Sequence, residues 1–73
     1  MTDSQLAARL GQHLRSSDAL IQRVLVIGHS IAITYYATAI TAIIEVTDGA
    51  AIVQRGSRVS DATFNLVSEF NSF

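Results

Sequence analysis

Apolar residues fall into three differently spaced groups along this chain. Near the amino end Leu6, Leu10 and Leu14 recur every four residues with Ala7 beside them, a spacing that lays one narrow stripe along a helix. Thr2, Asp3 and Ser4 supply cap-forming side chains before the stripe, and Ser16, Ser17 and Asp18 interrupt it. Arg9, Gln12 and Arg15 fall on the other face, and Gly11 weakens the helix by up to about 1 kcal/mol relative to Ala. The stripe predicts an amphipathic helix within residues 1–18 that lies at a membrane surface or against a partner.

The second group is a continuous run, Val24 to Val46, with no Pro, Asn, Asp or Lys and with His29 and Glu45 as its only basic or acidic side chains. As a helix it would reach about 34 Å, enough to cross a hydrocarbon core of about 30 Å. Ser17 and Asp18 can cap it, Arg23 can snorkel to the headgroups, and Gly49 suits a left-handed position just past its end. The predicted fold class is therefore all-α, with a single transmembrane helix over residues 19–48 between short amphipathic helices.

The third group occupies residues 49–73, a loop followed by a short interfacial helix. Ser60 or Asp61 can cap that helix, and Phe64, Val67, Phe70 and Phe73 recur along it every three residues. A competing reading is β structure. About half of the residues from Val24 to Val53 are β-branched, and Asp48-Gly49 is a dipeptide favoured in tight hairpins. That reading pairs Val46 with Ala51 and Ile44 with Val53. Against it, Ile31 to Val46 holds no Gly, Pro, Asn or Asp to turn the chain, and would make an unusually long strand.

Composition excludes several kinds of chemistry. The chain of 73 residues has no Cys, so disulfides, thiolate metal sites and Cys nucleophiles are ruled out. A net charge of −1, with five Arg spread along the chain and no Lys, argues against nucleic-acid binding. Only 15% of the residues are charged, well below the usual quarter, so the chain needs lipid or a partner surface to cover it. No phosphate-binding Gly loop, nucleophile elbow or paired carboxylates are present, and the protein is read as non-enzymatic.

Projected on a helix, the run has polar groups on two opposed sides. Gln22, His29 and Tyr36 share one face with Ile40, while Thr34 and Thr38 lie roughly opposite, and Gly28-xxx-Ala32 and Thr34-xxx-Thr38 have the small-xxx-small spacing that lets helices approach closely. Tyr35 and Tyr36 fall near the middle of the run, where their hydroxyls need protein partners. Gln22, His29, Ala32, Thr34, Tyr35, Tyr36, Thr38 and Ile40 are thus the expected helix-packing interface. Phe64, Val67, Phe70 and Phe73 are the expected interfacial residues. No cofactor is required. His29 is the one side chain in the run able to serve as axial ligand to a haem or chlorin.

These features predict a small, single-pass, non-catalytic accessory subunit that packs against larger membrane-protein subunits or copies of itself. The arginine distribution places its amino terminus in the cytoplasm. Two alternatives use the same residues differently: a self-assembling virion coat or pore-forming membrane protein, and a soluble oligomeric module built on the Asp48-Gly49 hairpin. Of these, only the last needs no membrane.

Overall fold

The apolar run forms strands. The structure, a computed structural model, describes residues 1–37 and 41–72. In chain order it contains α1 (Asp3–Ser17), β1 (Ile21–Ile27), β2 (Ser30–Tyr35), β3 (Thr41–Thr47), β4 (Ala50–Val53) and α2 (Asp61–Asn71). The four strands make one antiparallel sheet in the order β1-β2-β3-β4, giving a two-layer α/β fold in which both helices cover the same sheet face.

The strand assignment follows from burial with a period of two. Ile31, Ile33 and Tyr35 in β2, and Ala42, Ile44 and Val46 in β3, all face the helices and are buried. In β1 the register slips between Ile21 and Arg23. Gln22 is the extra residue of this bulge, which lets both Ile21 and Val24 face inward while Arg23 faces out.

Two-residue turns close two of the hairpins. Gly28-His29 joins β1 to β2 with Gly28 at φ +58°, the left-handed first position of a type II′ turn. Asp48-Gly49 joins β3 to β4 with φ values of +51° and +79°, the signature of a type I′ turn. Its register pairs Val46 with Ala51 and Ile44 with Val53, as the hairpin reading of the sequence required. The Asp3 carboxylate, in the first turn of α1, accepts the Asp48 and Gly49 N–H groups at 3.1 and 2.9 Å, so the first helix and the last hairpin are stapled together.

The helices lie where the flanking patterns place them. Thr2 and Gln5 form a reciprocal capping box at the start of α1, and Ser60 caps α2 by accepting the Thr63 N–H. Ala7, Leu10, Gly11 and Leu14 are the buried side of α1. Gly11 is a point of contact with the sheet: a Cβ there would stand 2.8 Å from a Val26 methyl and 3.3 Å from one of Val24. The helix tolerates a poor helix former because the sheet needs the space.

These observations overturn the all-α reading. Among the described residues no helix is long and apolar enough to cross a membrane. The expected transmembrane helix over 19–48 is instead β1, β2 and β3, and the single-pass location with a cytoplasmic amino terminus and the accessory-subunit role that rested on that helix lose their basis. The virion-membrane and pore-forming alternatives drew on the same helix and lose it too. The physical reason is that half of the outward strand positions in the run, Leu25, Ile27, Ala32 and Ile43, are also apolar, so alternation is blurred and total hydrophobicity dominates. Antiparallel pairing between β2 and β3 also shows that the chain reverses after Tyr35 without any of the usual turn residues.

Two substitutions test this account. Gly49→Val should lower stability by about 2 kcal/mol, because a β-branched residue strains at positive φ. Gly11→Ala should also destabilise, by about 1 kcal/mol. Overpacking against two branched valines costs about 1–3 kcal/mol, more than the gain in helix propensity of about 1 kcal/mol. Denaturant unfolding measures both, and a stabilised Gly11→Ala protein would contradict the close approach.

Candidate interaction surface

The open face of the sheet carries much of the chain's exposed hydrophobic surface. Three strand-to-strand rows define it: Arg23, Thr34 and Thr41; then Leu25, Ala32 and Ile43; then Ile27, Ser30, Glu45 and Ile52. Leu25, Ile27 and Ile52 are 45%, 67% and 56% exposed, and Ile43 and Ala32 between them are half-buried by their neighbours. A sheet with one face in water normally alternates apolar-in with polar-out. Here the outward row through Leu25, Ala32 and Ile43 is wholly apolar, a departure from that alternation.

A second, smaller feature lies between the helices. Leu6 and Leu10 of α1 and Leu66 and Phe70 of α2 line a groove of about 300 Å³, with Arg9, His13 and Glu69 at its rim. The groove combines apolar walls with both signs of charge and is open along its length. Phe64 lies outside the buried face of α2 and is 58% exposed.

Among the described residues, hydroxyls and a carboxylate gather in the interior. Asp18 and Thr63 are buried where the end of α1, the end of β2 and the start of α2 meet. Tyr35 Oη donates to Thr63 Oγ1 at 2.8 Å, and Thr63 Oγ1 donates to Asp18 Oδ2 at 2.8 Å. Ser60 Oγ donates to the same carboxylate oxygen, and the Leu20 N–H donates to Asp18 Oδ1 at 3.0 Å. Tyr35 Oη in turn accepts the Ser60 N–H at 3.1 Å. Burial pushes the Asp18 carboxyl up, and hydrogen bonds from Ser60, Thr63 and the Leu20 N–H outweigh it, so the group sits below its ordinary value. Ser60 and Thr63 point their hydroxyl protons at a carboxylate, with no imidazole among these contacts to activate either as a nucleophile.

The residues expected from sequence are scattered through this fold. Gln22 is the exposed bulge residue of β1. His29 lies in the β1–β2 turn, where its ring Nδ1 is 3.0 Å from the Val46 carbonyl. A carbonyl only accepts, so Nδ1 is the donor in this contact. Among the described residues no group of three His, Cys, Asp or Glu side chains could hold a metal ion. Ala32 and Thr34 lie on the open face, while Tyr35 is buried on the other face and Tyr36 is exposed. Val67 is buried in the core and Phe70 is half-buried at the groove. Thr38, Ile40 and Phe73 lie outside the described residues. The sequence reading missed Leu25, Ile27 and Ile52 as a surface, although their spacing with Arg23 and Glu45 was available to a period-two reading.

With the geometry in view, comparison with protein-family models, curated proteins and solved structures finds no match.

The polar cluster makes a pH prediction. The folded-state pKa of Asp18 lies below its unfolded value, so its contribution to stability is complete above about pH 4 and is lost as pH falls through the lower folded value. Wild-type protein should lose stability more steeply in acid than Asp18→Asn. That variant should be less stable by about 2–4 kcal/mol near neutral pH, since it leaves buried hydroxyls mismatched. Parallel acid-unfolding curves, followed by circular dichroism, would count against this role for the carboxylate.

Proposed function

We propose that this protein is a non-catalytic interaction module that works by covering the open face of its sheet with a matching protein surface. The observation that carries this is the set of exposed Leu25, Ile27 and Ile52 around the half-buried Ala32 and Ile43. Covering large aliphatic side chains contributes roughly 25 cal/mol per Å² of apolar area removed from water. This reading develops the hairpin-based oligomeric module among the sequence alternatives, since it needs only the sheet and no lipid.

Two further features support it. The hydroxyls and carboxylate that could serve chemistry are bonded to one another in the interior and hold α2 in place. A domain of this size also buries a smaller fraction of its surface than a large one, so an associated surface adds a meaningful share of its stability. The sheet face offers that surface without rearranging either helix.

Replacing Leu25, Ile27 and Ile52 together by Thr keeps strand propensity and removes the apolar face. The triple variant should retain its helix and sheet content by circular dichroism and unfold within a few degrees of wild type. It should lose concentration-dependent association in sedimentation and any partner recovered by cross-linking to the wild-type face. If association and cross-linked partners survive the triple substitution, the open face is not the working surface.

A further inference from the structure

We propose that the partner for the open face is a second copy of this chain, docked about a two-fold axis over Ala32 so that Arg23 of each copy meets Glu45 of the other. The proposal rests on the open-face reading above and specifies its occupant. Its basis is how charge is distributed on the face. Among the outward positions of the four strands, Arg23 is the only cation and Glu45 the only anion.

Their placement is symmetric about one residue. Arg23 pairs with Thr34, one row after Ala32 along β2; Glu45 pairs with Ser30, one row before it. Arg23 lies one strand to one side of Ala32 and Glu45 one strand to the other. Ala32 therefore marks the midpoint of a diagonal about 17 Å long, taking strands about 4.8 Å apart and a rise of about 3.4 Å per residue. Within one chain these charges are too far apart to pair.

A two-fold axis lying between two such faces, passing over Ala32 and perpendicular to that diagonal, exchanges its ends. Each Arg23 then stands opposite a Glu45, and one interface holds two equivalent ion pairs. The same operation brings Leu25 and Ile27 against their own copies, and Ala32, the smallest side chain in the central row, sits where the sheets approach most closely. The strands of the two sheets cross at roughly 70°, nearer the orthogonal than the aligned class of sheet packing. Four strands of this length cover roughly 400 Å² per copy, which is the small end of the interface range and implies a weak, concentration-dependent dimer.

Glu45 also shares a surface depression with Arg55, so the test must separate a contact between copies from a local one. Arg23→Glu places two like-charged pairs in the homodimer, and Glu45→Arg does the same with opposite sign. Each variant alone should therefore self-associate about tenfold more weakly than wild type in sedimentation from 10 μM to 1 mM, an order-of-magnitude expectation for juxtaposed like charges. An equimolar mixture of the two restores both attractive pairs and should form a heterodimer with near wild-type affinity. No local role of either charge produces rescue by mixing. Circular dichroism of each variant establishes that it is folded, and the charge-neutral pair Arg23→Gln and Glu45→Gln, which should weaken association less than reversal, serves if a reversed variant is not.

Three results would overturn the arrangement. If wild type is monomeric throughout this range while the face still cross-links to another protein, the second copy is wrong and the open-face reading stands. Dimers indifferent to both reversals yet lost in the Leu25, Ile27 and Ile52 triple variant would show the correct face used with a different axis. Failure of the mixture to recover, with both variants folded and individually weakened, would place the charges outside the contact.

Discussion

The carboxylate of Asp18 fixes how the two layers meet. It is the one charged group buried among the described residues, and it ends α1 at the point where β2 finishes and α2 begins. Apolar contacts between helix and sheet are nearly free of direction and tolerate sliding. A carboxylate with two hydroxyl donors and an N–H donor does not, because each displaced donor leaves a charge in a medium that solvates it poorly. The protons run one way, from Tyr35 through Thr63 to Asp18, so the cluster sets an orientation for α2 as well as a position. That orientation turns Thr63 and Val67 inward and leaves Phe64 outside.

With both helices committed to one face, the other is exposed by construction. The described residues form four strands and two helices of 15 and 11 residues, and both helices lie on one side of the sheet. The outward face then has to be either polar or covered, and its central row is neither charged nor hydrogen-bonding. The exposed apolar face is thus a consequence of topology combined with a few outward side chains.

Local signals in the sequence were legible where they were local in the structure. The four-residue leucine spacing marks α1, Ser60 marks the start of α2, and Asp48-Gly49 marks a turn whose register is the one observed. The central run misled because strand alternation is visible only if one face is polar, and here Leu25, Ile27 and Ile43 fill outward positions beside inward Val24, Val26 and Ile44. Gly28 illustrates the ambiguity: spaced four residues from Ala32 it resembled a helix-packing pair, whereas its positive φ makes it the pivot of a turn. Asp18 and Ser60 were each readable as helix caps. Their meeting across 42 residues was not, since nothing in either neighbourhood encodes the other.

Asn71, near the end of α2, has a consequence for the sheet's growth. Its side-chain amide donates to the Ala51 carbonyl at 2.8 Å and accepts the Ala51 N–H at 2.7 Å, occupying the outer edge of β4 as a further strand would. The opposite edge, β1, has no such side-chain cap among the described residues. Extended fibres require two templating edges on every unit, one to receive a strand and one to offer it. A strand adding at β4 would have to displace both of these hydrogen bonds, so one asparagine raises the cost of lateral growth at that edge of a chain rich in β-branched residues.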